Sequence, residues 1–354
     1  MGSFILRRTG VMLLTALCLT LVVFFMTNLY PNLEKLAKTQ GNFRMTEEAV
    51  ESWLTNRGYT QPFVTKYGEW LGILPGYVIE GSDGEVRARC SDVTFTSIAE
   101  LEAANLANRC GILQGDWGFS TVFKVDVGGR LWESVGLTGY LMMWSLLLTV
   151  PLALAIGVLA GMKEGSRGDR SLSTFSIVTS ATPEYVSGVV LIAVFASSAV
   201  GLQWFRGSAA QAMRDPTFEN FFLPVLTIAL YNIGYIARMT RASMTEVMTA
   251  QYIRTARLKG VRFMDVVLKH ALRNALIAPF TVIVLQIPYL LTGVVITETL
   301  FNYKGFGWLL VQAASNNDIE MLLGVSVVSV VIVLATQLIS DIGYVYLNPR
   351  IRIT

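Results

Sequence analysis

The sequence predicts an all-α membrane protein with six transmembrane helices. Of its 354 residues 53% are hydrophobic and only 15% are charged, and the apolar residues form long runs. A soluble chain of this length needs more charge to keep its surface hydrated. Apolar runs of roughly twenty residues are long enough to cross about 30 Å of hydrocarbon as helices, in which the backbone polar groups are paired internally.

The predicted spans lie at about 11–29, 135–160, 172–200, 222–237, 276–300 and 321–344. The first run is longer than the apolar core of a typical signal peptide. The sequence after it, "TNLYPNLEKL", has no small-x-small cleavage site. We therefore expect residues 1–30 to remain as an N-terminal transmembrane helix.

The distribution of positive charge predicts that both termini are cytoplasmic. Basic residues concentrate in short loops on the cytoplasmic side, and Arg7 and Arg8 precede the first span. With the N-terminus inside, the basic segments fall on the cytoplasmic side; they are 161–171, 238–275 and the tail with Arg350 and Arg352. The loops 201–220 and 301–320, which carry little positive charge, fall outside.

Residues 31–134 are then an external segment that is long enough for a small folded unit, and residues 135–354 form a five-helix core. The external segment contains Cys90 and Cys110. Two cysteines in an oxidising compartment predict a disulfide, although two unpaired thiols are the alternative. Closing a loop of about twenty residues would contribute on the order of 3 kcal/mol.

The sequence lacks the motifs of common catalytic and cofactor sites. It contains no GxxxxGK[ST], GxSxG or HExxH pattern. One histidine and one external cysteine pair are too few for a usual zinc site. A net charge of +3 gives no argument for nucleic acid as a partner. We therefore expect a non-catalytic chain that holds no metal or cofactor of its own.

The stretch "YIRTARLKGVRFMDVVLKHALRNAL" predicts a helical hairpin in the basic loop 238–275. Its first helix is predicted at 245–258 and its second from 263 onward, with Gly260 in the turn because glycine adopts positive φ at little cost. Arg254 and Arg257 share one helical face. The alternative to a docking surface is a basic patch that only contacts anionic lipid.

Four segments of the chain occur in an order that is typical of one transporter family. They are "LPVLTIALYNIGYIARMTRASM", "YIRTARLKG" followed by "HALRNAL", "ETLFNYKGFGWLL" and "DIGYVYLNPRIR". Together they resemble permeases of the dipeptide/oligopeptide family of ABC importers, over about residues 115–354. The resemblance implies an ABC type I importer permease fold, with an enlarged periplasmic segment between helices 1 and 2.

The resemblance also implies roles for residues of the basic loop. The element that couples to an ATPase subunit would consist of Arg254, Thr255, Ala256, Arg257, Lys259 and Gly260. The residues that pack the second helix under the bundle would be His270, Arg273 and Asn274. The sequence departs from the family pattern at Gln251, which replaces a common acid, and at about 72–112, which looks inserted.

Polar residues inside the predicted spans are candidates for the pore or gate. Glu184 follows Pro183 in the third span and would contact a cationic or amine-bearing substrate; a structural carboxylate at a broken helix is the alternative. Glu298, near the outer end of the fifth span, is a gate or structural candidate. Gln286 and Thr292 are further pore candidates, although polar residues in spans also join helices.

The family resemblance implies that this chain is a multi-pass protein of the bacterial inner membrane with several partner proteins. These are a second homologous permease that completes the pore, two subunits that bind ATP and Mg, and a substrate-binding protein. Peptides are the expected cargo, with nickel, opine-like or sugar compounds as alternatives. A self-contained secondary transporter would need internal repeats and ion-coupling acids in mid-span. A membrane sensor would need a cytoplasmic signalling domain.

Overall fold

The computed structural model is mostly helical and describes residues 2–91, 93–104, 106–120, 122–198 and 201–347. The side chains of 2–5, 286–293 and 344–347 lie outside the described part. The chain forms two compact units. The first unit comprises residues 1–133 and 309–331, and the second comprises 134–308 and the chain from 332 onward.

The elements up to residue 126 are α1 (Gly2–Thr27), α2 (Tyr30–Gln40), α3 (Glu47–Thr55), α4 (Phe63–Leu71), β1 (Val78–Glu80), β2 (Val86–Ala88), α5 (Ile98–Ala103), β3 (Phe119–Ser120) and β4 (Val125–Asp126). The later elements are α6 (Val127–Gly161), α7 (Arg167–Ala181), α8 (Glu184–Phe195), α9 (Phe218–Met248), α10 (Gln251–Leu258), α11 (Phe263–Asp265), a π-helical segment (Val266–Ala271), α12 (Leu272–Ala275), α13 (Ile277–Leu300), α14 (Phe306–Ser315) and α15 (Ile319–Leu347).

The described part of the chain contains four helices that are long and apolar enough to cross a membrane: Leu6–Thr27, Val127–Gly161, Phe218–Met248 and Ile319–Gly343. Two bent helix pairs pass the same test. Helices α7 and α8 are bent by 105°, and Phe263–Ala275 is bent by 44° from Ile277–Leu285. With each bent pair counted as one span there are six, so the predicted all-helical membrane fold is confirmed.

The structure corrects the predicted third and fourth spans. The third span is not one continuous helix, because Thr182 is extended with ψ of 123° and Pro183 precedes α8. Proline has no N–H to donate and disfavours helical geometry in the residue before it. Glu184 therefore begins α8 instead of lying within one continuous helix. The fourth span, predicted at 222–237, extends at both ends to form the 31-residue α9.

Glycines on α6 allow its backbone to approach α9 closely. A Cβ added at Gly157 would lie 2.4 Å from the Cβ of Thr240, and one at Gly161 would lie 2.7 Å from the Cβ of Met244. Ala153, one turn earlier, is fully buried. Small residues at this four-residue spacing permit close helix contact within membranes.

Helices α7 and α8 belong to the same closely packed group. A Cβ added at Gly234 of α9 would lie 2.4 Å from Oγ1 of Thr179 on α7. A Cβ added at Gly188 of α8 would lie 2.5 Å from Cδ2 of Leu300, at the end of α13. Helix α9 is thus the central helix of the second unit.

The first unit has a core of its own, built from the end of α1, helices α2–α4 and the start of α15. The ring of Phe24 lies 5.1–5.8 Å from the rings of Phe63, Tyr67 and Trp70. Strands β1 and β2 pair in antiparallel fashion, as do β3 and β4. We call residues 30–126, between α1 and α6, the lobe.

The lobe contains the predicted disulfide between Cys90 and Cys110, which is therefore confirmed. The bridge joins the chain just after β2 to the segment before β3. It closes a loop with a sequence separation of 20 residues. The loop contains α5, none of whose residues is buried, so the cross-link compensates for a small core in this part.

Replacing Gly157 by Leu should destabilise the second unit, because the new side chain would overlap Thr240 and the carbonyl of Ala237. We expect a loss of about 1–3 kcal/mol, the usual cost of overpacking, measured as a lower melting temperature in detergent. Gly139→Leu is the matched control on the same helix, because nothing lies within 4 Å of a Cβ at Gly139. Equal melting temperatures for the two variants would contradict the proposed close contact.

Replacing Cys110 by Ser should lower the free energy of unfolding of the lobe by on the order of 3 kcal/mol, because the unfolded chain is no longer cross-linked. Limited proteolysis should then cleave the lobe faster than in the wild type. Cys18→Ser is the control, because Cys18 is an exposed free cysteine. Unchanged cleavage in the Cys110 variant would show that the disulfide does not stabilise the lobe.

Candidate functional site

The basic loop forms a hairpin of two short helical arms, residues 250–275, which we call the hairpin. Its first arm, α10, follows a break at Ala250, whose ψ of 149° is extended. The continuous helix predicted at 245–258 is therefore wrong at this point. The first arm ends in a glycine turn: Gly260 has φ of 76°, its N–H donates to the Arg257 carbonyl at 3.0 Å, and Val261 N–H donates to Ala256 at 3.2 Å. This is the Schellman arrangement, in which glycine avoids the strain of positive φ.

The second arm contains a feature that the sequence did not indicate. It runs from Phe263 to Ala275, and Val266–Ala271 within it is π-helical. Such π-helical segments are rare and frequently lie at functional sites. The extra residue in the turn shifts the side chains that follow it relative to an unbroken α-helix.

One face of the hairpin is apolar and packs on the end of α9. Ile253, Val266 and Ala271 are almost fully buried, and they belong to a cluster that also includes Met244 and Met248 of α9. The Ser243 hydroxyl of α9 donates to the Ala275 carbonyl at 2.8 Å. The hairpin is therefore firmly attached to α9.

The opposite face of the hairpin is exposed and combines basic with apolar side chains. Its basic and polar members are Arg254, Thr255, Arg257 and Lys259. Leu258 is 80% exposed and Met264 and Leu268 are each more than half exposed. Exposed apolar side chains grouped in this way indicate a surface that binds another protein or a membrane.

The structure separates the predicted hairpin residues into these two faces. Of the predicted coupling residues, Ala256 is buried against the apolar cluster and the others are exposed. His270 and Arg273 are also exposed, so the packing role predicted for them is not what this structure shows. Asn274 does join the two arms, because its amide donates to the Tyr252 hydroxyl at 2.8 Å.

A buried ion pair near the hairpin was missed by the sequence analysis. The Asp169 side chain on α7 is 3% exposed and accepts hydrogen bonds from Nε and Nη2 of Arg241 on α9, at 2.5 and 2.8 Å. It also accepts from the Ser173 hydroxyl and the Gly165 N–H. The available signal was the spacing of Ser166 and Asp169, which is typical of a helix N-terminus.

Glu184 lies at the start of α8 and contacts α13. The Thr297 hydroxyl donates to its carboxylate at 2.5 Å. Thr297 is fully buried, whereas Glu184 is partly exposed and its neighbour Tyr185 is 55% exposed. Among the described residues the Thr297 hydroxyl binds the carboxylate, and an exposed surface lies beside it. The pore role therefore stays a prediction for this residue.

Glu298 is fully buried and organises the end of α13. The Thr138 hydroxyl of α6 donates to one oxygen of its carboxylate, and the Trp308 N–H donates to the other at 2.9 Å. The Phe306 N–H in turn donates to the Thr138 hydroxyl at 2.8 Å. This arrangement gives Glu298 a structural role; the gating role stays a prediction.

The glycines near Glu298 explain the spacing of the segment "ETLFNYKGFGWLL". A Cβ added at Gly305 would lie 2.2 Å from a Glu298 oxygen, and one at Gly307 would lie 2.7 Å from the Cα of Val295. Phe301 is fully buried in the same region. Gln286 and Thr292, the remaining pore predictions, lie outside the described side chains.

The structure thus defines a class: a polytopic helical membrane protein with a two-faced helical hairpin and buried carboxylates between its helices. Residues 153–353 match the family model described as "Binding-protein-dependent transport system inner membrane component". This match covers more than half of the chain. The chain belongs to this family of transport-system inner membrane components.

Curated relatives agree with the family model. The chain is 34% identical over 244 residues to the "Probable peptide ABC transporter permease protein y4tP" of Sinorhizobium fredii, covering 68% of this chain and 77% of that protein. It is 32% identical over 247 residues to the "Oligopeptide transport system permease protein AppB" of Bacillus subtilis, with the same coverage of 68% and 77%. Family membership favours the permease interpretation over the secondary transporter and the sensor.

A third relative aligns over nearly the whole chain. The "Di/tripeptide transport system permease protein DppB" of Pseudomonas aeruginosa is 28% identical over 381 residues, covering 99% of both chains. The lobe is therefore included in an alignment with a permease of similar extent. A solved amino acid ABC transporter matches 61% of this chain and 93% of its own at 14% identity, but its TM-score of 0.46 supports no conclusion.

Replacing Asp169 by Asn should destabilise the protein by about 2–3 kcal/mol, because Arg241 would lose the charge of its buried partner. The expected value is below that of a fully buried pair because the Arg241 side chain is 31% exposed. Asp265→Asn is the matched control, since Asp265 pairs with Lys269 where both side chains are exposed. Melting temperatures in detergent measure both effects, and equal losses in the two variants would contradict a special role for Asp169.

Proposed function

We propose that this chain is the permease subunit of an ABC importer for peptides in a bacterial inner membrane. It supplies one half of the translocation pore, and a second, homologous permease supplies the other half. Two ATPase subunits bind ATP and Mg and dock on the cytoplasmic side, where both termini lie. A periplasmic binding protein delivers the substrate. The chain itself has no catalytic role.

The observation that carries this proposal is the separation of the hairpin into two faces. The face with Leu258 and Lys259 is exposed, whereas Ile253 and Val266 pack the other face onto the end of α9. A membrane-surface patch needs only the exposed face. A coupling element needs both, because a docked partner must be able to move the helix behind it.

A series of contacts connects the hairpin to the membrane helices, so movement of the hairpin can displace them. The apolar cluster and the Ser243–Ala275 hydrogen bond join the hairpin to α9. The Asp169–Arg241 pair joins α9 to α7. The hairpin also continues directly into α13. Closure of the ATPase subunits would therefore displace helices on both sides of the hairpin and switch access to the pore.

Peptide cargo is supported by the names of the three relatives described above, which are permeases for peptides, oligopeptides and di- or tripeptides. Within the pore, Glu184 fits such a cargo, because a peptide carries an ammonium group at its N-terminus. An ionisable side chain in a membrane span is costly and is usually retained for function. We therefore assign Glu184 as a contact for the positively charged end of the peptide.

The test is co-purification of the tagged chain from its native membrane in mild detergent. We expect a second permease and P-loop ATPase subunits in stoichiometric amounts. In the double variant Leu258→Glu, Lys259→Glu, we expect the ATPases to be lost at least tenfold while the second permease remains bound. The reason is that only the exposed hairpin face is changed, so the buried core keeps its packing.

Leu113→Glu is the matched control, because Leu113 is a 68% exposed leucine of the lobe and not of the hairpin. It should retain the ATPases at wild-type level. Retention of ATPases by the double variant would contradict docking at this face. A chain that purifies without any ATPase and still moves solute into vesicles would contradict the importer proposal itself.

A further inference from the structure

The first unit contains a cavity of about 500 Å³ between the lobe and the start of α15. Its size falls within the range of small-molecule sites, about 300–1,000 Å³. Six charged side chains line it, three of each sign: Arg57, Arg87, Arg89, Asp116, Asp318 and Glu320. This lining suits neither a purely anionic nor a purely cationic ligand, since the carboxylates would repel an anion and the arginines would repel a cation.

Two of the three arginines of the cavity are only partly neutralised by the protein, whereas Arg87 is paired with Asp83 and Glu85. Arg57 stacks on the Trp53 ring at 4.1 Å, and among the described residues no carboxylate forms an ion pair with it. Burial lowers the pKa of Arg57, and the charge of Arg87 lowers it further. Arg89 reaches Glu320 only at 3.9 Å, and its buried Nε has no hydrogen-bond partner. A carboxylate would satisfy these groups.

The carboxylates form the other part of the lining. Asp318 is 2% exposed and accepts from the Ser120 hydroxyl and, at 3.2 Å, from the Met321 N–H. Burial raises the pKa of Asp318. Among the described residues, no group donates a hydrogen bond to one buried oxygen of Glu320. A cationic donor would satisfy that oxygen and stabilise the charged form of Asp318.

The remaining lining is suited to the body of a small organic molecule. Tyr59 and Tyr77 both line the cavity. Burial raises the pKa of each phenol, so both rings are neutral and offer apolar faces with a hydroxyl. The cavity therefore combines cationic groups, anionic groups and aromatic rings in a volume that fits a small organic molecule.

We propose that this cavity binds a short zwitterionic peptide, with its C-terminal carboxylate at Arg57 and Arg89 and its ammonium group at Asp318 and Glu320. The proposal rests on the proposed function, because it names a second peptide site in a peptide importer. It makes the lobe a place where the permease itself contacts its cargo, in addition to any contact within the pore.

The first experiment measures binding to the chain alone, in lipid nanodiscs and without the binding protein. The probes are L-alanyl-L-alanine and its C-terminal amide, followed by saturation-transfer NMR. We expect the free acid to bind and Arg57→Gln to weaken its binding at least tenfold, since the variant removes a cation for which the described residues supply no ion-pair partner. The amide should bind weakly to both proteins.

Arg109→Gln is the matched control, because Arg109 is exposed on the lobe and does not line the cavity. It should bind the free acid as the wild type does. Absence of binding to the wild type, or equal affinities in the wild type and Arg57→Gln, would overturn the proposal. So would an equal loss for the acid and the amide in that variant, since recognition would then not depend on the carboxylate.

The second experiment measures uptake by the complete importer with its binding protein in proteoliposomes. Arg57→Gln should raise the KM for the free dipeptide and leave the amide unchanged. If the variant slowed the uptake of both forms equally, the cavity would serve the binding protein and the proposal would fail. If the wild type imported no peptide while the chain alone still bound the dipeptide, the proposed function would fail and the cavity site would stand.

Discussion

Close backbone contact along α9 is the interaction on which the second unit depends. Lipid is as apolar as the side chains, so burial of apolar surface gives membrane helices little reason to associate, and contact must come from close packing. Helix α9 is the most buried of the long apolar helices in the described chain, with 72% of its apolar window inside the protein against 28% for α6. Gly157, Gly188 and Gly234 each lie where a Cβ would overlap a neighbouring helix. The hairpin can act on other helices only because α9 is held in this way.

Buried carboxylates provide the second level of organisation. Removing a charged group from water is costly unless it is hydrogen-bonded or paired. Here the buried Asp169 is held by Arg241 and the buried Glu298 by Thr138 and a backbone N–H, while the partly exposed Glu184 is held by Thr297. Each contact joins two different elements, so each carboxylate finds its hydrogen-bond or ion-pair partner only when the helices are correctly assembled. The glycines allow the helices to pack closely. The carboxylates favour the one arrangement of packed helices in which their hydrogen bonds are formed.

What the sequence could predict depended on local patterns. Long apolar runs gave the spans, and a glycine between two basic, helix-forming stretches gave the turn at Gly260. The bend of 105° at Pro183 was signalled locally, but its size depends on what packs around it. The pairing of Asp169 with Arg241 joins residues 72 positions apart, and no local pattern specifies such a partner. The same holds for Glu298, whose role became clear only with Thr138 in place.

The apolar face of the hairpin decides how a force on it would be transmitted. Ile253, Val266 and Val267 of this face are almost completely buried, in an apolar cluster that also contains Met244 and Met248 of α9. Burying a side chain of this kind completely contributes about 1.5–3 kcal/mol, so exposing even part of this apolar face by lifting the hairpin off α9 would be unfavourable. The extended backbone at Ala250 separates α9 from α10 and sets the direction in which the first arm leaves α9. In the proposed mechanism the hairpin therefore moves together with the end of α9, because the buried apolar cluster and the Ser243–Ala275 hydrogen bond hold the two in contact.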